Sequence, residues 1–179
     1  MSAELNVLKI VSERLAAAGL DFMLTGSFAL TFYATPRMTR ELDFVVALRI
    51  TDVETLADLF SPDFFVDAAL VQAAITDQRL FNMMHYQSGI KIDVIVRKDA
   101  EYRLLEFARR VPFDLAGSTS WIVTKEDLIL SKLVWAQAGA SELQMRDVRT
   151  LLIEPLDREY LHTWAPQLGV ATLPREILG

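Results

Sequence analysis

The chain has 179 residues, 52% of them apolar, no cysteine and a formal net charge of −6. That much apolar sequence excludes disorder and can core one domain, or a small domain with a helical appendage. Disulfides and thiolate zinc sites are excluded, no apolar run approaches a membrane span, and an acidic chain without a Lys/Arg run is a poor match to broad, charge-driven nucleic-acid binding.

The opening residues, Met1-Ser2-Ala3-Glu4-Leu5-Asn6, lack a basic stretch followed by an apolar one. No secretory signal is therefore expected, and a cytoplasmic location is. Leu5, Leu8, Val11 and Leu15 recur at helical spacing, and Gly19 stops that helix. Phe22 to Thr25 reads as a short strand, Gly26-Ser27 as a turn, and Phe28 to Tyr33 as a short helix. A polar loop with Pro36 leads to a strand from Leu42 to Leu48. Thr51-Asp52-Val53-Glu54 has the capping-box pattern and predicts a helix over 52–60, ended by Ser61-Pro62-Asp63. A short strand at 64–66 and a helix over 67–76 follow. Phe81–Tyr86 and Ile90–Val96 flank Gln87-Ser88-Gly89 and read as an antiparallel hairpin. A helix is expected over 100–110, then two short apolar pieces around Gly117. From Thr124 onward only helices are expected: one opened by Thr124-Lys125-Glu126-Asp127 with Gly139 near its end, then others over 142–153 and 157–165, with a peripheral tail carrying Pro174. The change from mixed elements to helices alone suggests a core over 1–123 and a helical extension over 124–179 packed on it.

The chemistry concentrates in two segments. Glu41-Leu42-Asp43 opens an apolar strand, and Asp93 lies inside Lys91-Ile92-Asp93-Val94-Ile95-Val96. Strand side chains alternate, so Glu41 and Asp43 point the same way. Paired acids repel, and an acid inside an apolar strand needs a partner. One site in which all three carboxylates hold a divalent metal satisfies both demands. The bland alternative is solvated strand-start acids paired with Arg37 and Arg40. Gly26 and Ser27 start a helix, where backbone N–H groups make an anion site; taken alone, they read as an ordinary strand-to-helix turn with Ser27 as N-cap. Arg37 and Arg40 could neutralise phosphate or pair with Asp43. Lys132 sits in the apolar run Leu130-Ser131-Lys132-Leu133-Val134-Trp135, followed by Met145-Arg146-Asp147. It either faces a site or pairs with Asp147 between two helices, and both can hold. His85 and His162 lack metal-ligand spacing and read as structural. The tryptophans and phenylalanines read as packing.

Gly-Ser, then acid-x-Asp, then a later strand Asp resembles the nucleotidyltransferase superfamily of polymerase-β type. Arg-x-Thr-x-acid-x-Asp and the Lys132 and Arg146-Asp147 segments resemble its abortive-infection and toxin-type members. The resemblance implies an α/β fold (α+β): a small mixed, twisted sheet flanked by helices, with a C-terminal helical extension. It implies transfer of a nucleoside monophosphate from an NTP to an acceptor hydroxyl on a tRNA end, a protein or a small molecule. Glu41, Asp43 and Asp93 would be catalytic and would ligate magnesium or manganese. Gly26, Ser27, Arg37, Arg40, Lys132 and Asp147 would serve nucleotide and phosphate binding. A toxin role with an antitoxin partner, and no membrane partner, are further expectations. Glu41 stands where the family has Asp, and its longer side chain shifts the carboxylate of a metal that tolerates little geometric error. That departure keeps open a degenerate nucleotidyltransferase-like protein that binds or regulates.

Overall fold

The computed structural model describes residues 2–34, 39–139 and 141–170. Helix α1 (Ala3–Ala17) is capped by the Ser2 hydroxyl, which accepts from the Leu5 N–H, and it buries Val7, Leu8, Val11 and Leu15. Strand β1 (Phe22–Thr25) is buried at every residue, and helix α2 (Gly26–Tyr33) follows it without a loop. Strand β2 (Glu41–Val46) alternates buried and accessible side chains. A 3₁₀ turn (Ile50–Asp52) leads into α3 (Val53–Phe60), β3 (Phe64–Phe65) and α4 (Ala68–Asp77). The expected hairpin is β4 (Leu80–His85) and β5 (Lys91–Val96). Helix α5 (Glu101–Ala108), the hairpin β6 (Val111–Leu115) and β7 (Ser118–Ile122), and helices α6 (Lys125–Gly139), α7 (Glu142–Leu151) and α8 (Arg158–Gln167) complete the order.

The seven strands form one mixed sheet in the order β3-β4-β5-β2-β1-β7-β6. Strands β2 and β5 run parallel at its centre, β1 is antiparallel to β2, and β7 pairs parallel with β1. This is the expected α/β architecture. Leu42, Phe44 and Val46 of β2 and Ile92, Val94 and Val96 of β5 are buried on one face. The opposite face presents Glu41, Asp43 and Val45, and Lys91, Asp93 and Ile95. Helices α6 to α8 share the apolar cluster of the sheet through Leu128, Ile129, Val148, Leu151 and Leu161. Among the described residues no helix is long and apolar enough to cross a membrane.

The start of α3 differs from the sequence pattern. Thr51 does not cap it; the Asp52 carboxylate turns back to accept the Arg49 N–H at 2.8 Å. The helix entry thus begins earlier, at Arg49, whose N–H the Asp52 side chain accepts, and the first turn is 3₁₀.

Candidate functional site

The register of the central strands builds the site. Asp43 of β2 is directly opposite Asp93 of β5, and Glu41 is opposite Lys91. Thr25 of β1 is opposite Asp43, and Asn82 of β4 is opposite Asp93. Cross-strand partners share a face, so Thr25, Asp43, Asp93 and Asn82 form one row across four strands, with Glu41 and Lys91 beside it. Of the three carboxylates predicted from the sequence, Asp43 and Asp93 stand in register, and Glu41 lies on the same face two residues along β2.

Gly26 closes on this row with φ +67°, a left-handed conformation suited to glycine. A side-chain carbon built on it would stand 2.7 Å from the Asp43 Cβ and closer still to the carboxylate. The Ser27 backbone N–H donates to Asp43. Asp43 therefore lies at the N-terminus of α2, where a carboxylate is favoured. The anion that meets the Gly-Ser turn in this structure is the chain's own Asp43.

Burial, reinforced by Asp93 and then Glu41, raises the Asp43 carboxyl to about 6, while the Ser27 N–H and the Lys132 ammonium act against that rise. Lys91 supplies local positive charge. Its Nζ lies 3.4 Å from Glu41 Oε1 and 3.0 Å from Asp93 Oδ1. Its hydrogen bond to Asp93 holds its pKa above the ordinary lysine value. Asn82 Nδ2 also donates to Asp93. As placed, no three His, Asp or Glu side chains among the described residues are gathered closely enough to hold a metal ion. The donor set nonetheless suits a hard cation: three carboxylate groups on one sheet face, two in register, with the Gly26 backbone leaving room for Asp43.

Lys132 is fully buried and donates to Asp147 Oδ2 at 2.8 Å and to Gln144 Oε1 at 3.1 Å. The pairing alternative thus holds, and the lysine still acts on Asp43 through space. Arg40 and Arg146 are exposed, and Arg37 lies outside the described residues. His85 is buried against Phe64, with Nδ1 2.8 Å from the Ser88 hydroxyl; His162 is exposed.

Thr25, Glu41, Asp43 and Asp93 line a cleft of about 480 Å³. The sequence reading missed its other walls: Arg79, Arg97, Lys98 and Arg103 bring positive charge, and Trp135 and Gln144 come from the helices. Glu106 is buried on the same wall and held by Arg103 at 2.7 Å and by the Ser131 hydroxyl; burial raises its pKa. Lys91 was within reach of the sequence, because period-two alternation places it on the face of Asp93.

No protein-family model matches the sequence, and a search of curated proteins finds no match. Solved structures do resemble it. An antigenic nucleotidyltransferase-like protein from Paracoccidioides brasiliensis superposes with a TM-score of 0.61 at 16% identity, over 98% of this chain and 93% of that one. The antibiotic-resistance factor ANT(2″)-Ia gives 0.59 at 11%, over 94% of each chain. The lincosamide antibiotic adenylyltransferase LnuA, bound to lincomycin, gives 0.54 at 9%, over 84% of this chain and 96% of that one. The fold is of nucleotidyltransferase type. On that fold, Asp43 and Asp93 stand side by side on the two central parallel strands, with the Gly26 turn against them.

Proposed function

We propose that this chain is a metal-dependent nucleotidyltransferase that moves a nucleoside monophosphate from an NTP to an acceptor hydroxyl. The observation that carries the reading is the register of Asp43 against Asp93 with Gly26 closing on Asp43. In the reaction the acceptor oxygen bonds to the α-phosphorus, the bond to the bridging oxygen breaks, and pyrophosphate leaves with the electron pair. Asp93, oriented by Asn82, takes the hydroxyl proton. Glu41, Asp43 and Asp93 would hold magnesium or manganese, which when bound neutralises charge developing on the phosphates. Arg103, held by Glu106 and Ser131, and Arg97 present positive charge to phosphate groups within the cleft. Lys132, anchored on Asp147, steadies the field at Asp43 from behind the wall.

A cleft of about 480 Å³ suits small molecules. The likeness to LnuA and ANT(2″)-Ia makes hydroxyl-bearing antibiotics the first acceptors to screen, ahead of an RNA end or a protein. A toxin role with an antitoxin partner belongs to the same reading and is tested by expressing the chain alone in a host and scoring growth. The decisive experiment is calorimetric titration with each NTP, with and without magnesium, on the unaltered chain and on Asp43→Ala. Magnesium-dependent binding that disappears in the variant is expected. Binding unaffected by the substitution would refute the assignment, and absence of NTP binding by the unaltered chain would favour the degenerate, regulatory reading.

A further inference from the structure

Lys91 has a position that the reaction scheme leaves unused. It precedes Asp93 by two residues and lies opposite Glu41 in the parallel register, so its side chain emerges between the two carboxylates. Its ammonium contacts both, at 3.4 Å from Glu41 and 3.0 Å from Asp93. A divalent ion held by those acids would need the same carboxylate oxygens. The side chain is 36% accessible, so it has solvent-filled room into which it can turn.

We propose that Lys91 is a tethered competitor for metal: it holds Glu41 and Asp93 together without a divalent ion and must swing out before one binds. The inference rests on the proposed metal site. Its physical basis is that the same carboxylate lone pairs cannot serve an ammonium and a closely coordinated cation together. Metal alone then binds weakly, because it must displace a cation already in contact with two ligands. An NTP favours entry by offering the released ammonium a phosphate oxygen. Lys91 thereby links metal binding to nucleotide binding, and its rotation is the linking step.

The test is Mn²⁺ titration by calorimetry without nucleotide, on the unaltered chain and on Lys91→Met and Lys91→Arg, with melting curves in parallel. Removing a unit charge this close to the ligands should tighten Mn²⁺ binding about tenfold or more. Lys91→Met should also melt lower than the unaltered chain without metal and gain more from Mn²⁺. Lys91→Arg, which keeps the charge, should stay near the unaltered affinity. If the unaltered chain binds Mn²⁺ and Lys91→Met binds it no tighter, the role of Lys91 is overturned while the metal site stands. If neither binds Mn²⁺, both readings fail. Should Lys91→Met not fold, the unaltered chain still decides. With ¹⁵N-labelled lysine, the hydrogen-bonded Lys91 Nζ resonance should change on saturation with Mg²⁺, and an unchanged resonance would overturn the proposal.

Discussion

Gly26→Ala is a small change with a large expected effect. The residue has φ +67°, which costs an L side chain about 1–2 kcal/mol. The new methyl would also meet the Asp43 Cβ at 2.7 Å, where ordinary contact begins at 3.4 Å. Asp43 or the start of α2 must then yield by roughly 0.7 Å or more. Either movement pulls the Ser27 N–H off the carboxylate, and a hydrogen bond to a charged group contributes about 1.5–3 kcal/mol. Together the losses come to about 2.5–5 kcal/mol, or about 5–20 °C in melting temperature for a chain of this length.

Gly89→Ala is the control, because it shares the strain without the collision: φ is +65° and nothing lies within 4 Å of the added carbon. It should lose only about 1–2 kcal/mol. Magnesium-dependent NTP binding should stay intact in Gly89→Ala and weaken in Gly26→Ala, where the Asp43 carboxylate is displaced. Equal melting losses in the two variants, with NTP binding retained in both, would refute the argument that Gly26 exists to let Asp43 approach.

Asp43 should also make stability depend on pH. Its carboxyl titrates near 6 in the folded chain and near 4 when unfolded, so the folded state holds the extra proton between those values. The contribution is therefore fully present below about pH 4 and is lost as pH rises through about 6. Without metal, Asp43→Asn should melt progressively higher than the unaltered chain across that window, the gap levelling at about 2–3 kcal/mol. A gap that does not change with pH would contradict the raised pKa. Lys132→Met leaves the buried Asp147 without its ammonium and should cost about 3–5 kcal/mol, read by denaturant unfolding. Adding Asp147→Leu should recover most of it, and failure to do so would show that Lys132 acts mainly elsewhere.

The periodicities that declare elements were legible. Apolar runs gave both central strands, expected over 42–48 and 90–96 and found over 41–46 and 91–96, and Gln87-Ser88-Gly89 gave the hairpin. The pairing of β2 with β5 was not, because strands about fifty residues apart carry no local signal of being parallel neighbours, and only the motif order suggested that Asp43 and Asp93 meet. The far wall escaped for the same reason. Arg79, Arg97 and Arg103 come from a strand approach, a strand exit and a helix, and no sequence spacing links them. Asp127 was read as part of a helix-opening pattern, and it does bond Thr124. That it is also wholly buried, accepting from Tyr102, Tyr160 and Arg109, depends on α5 and α8 converging on α6.

The surroundings of the carboxylates separate those serving the fold from those proposed to serve chemistry. Asp127 accepts from two tyrosine hydroxyls, a threonine hydroxyl and a guanidinium. Glu106 is held by Arg103 and Ser131, and Asp147 by Lys132. Each is matched by donors from neighbouring helices, as a buried charge must be if it is not to destabilise the fold. The strand row differs. Asp43 faces Asp93 across the parallel pair and carries a raised pKa, while Glu41 and Asp93 share the single ammonium of Lys91. Stability alone would favour replacing one of these acids with an uncharged residue. On the proposed reading a divalent ion would offset the repulsion between these acids, and among the described residues Gly26 is the glycine whose missing side chain lets a carboxylate approach.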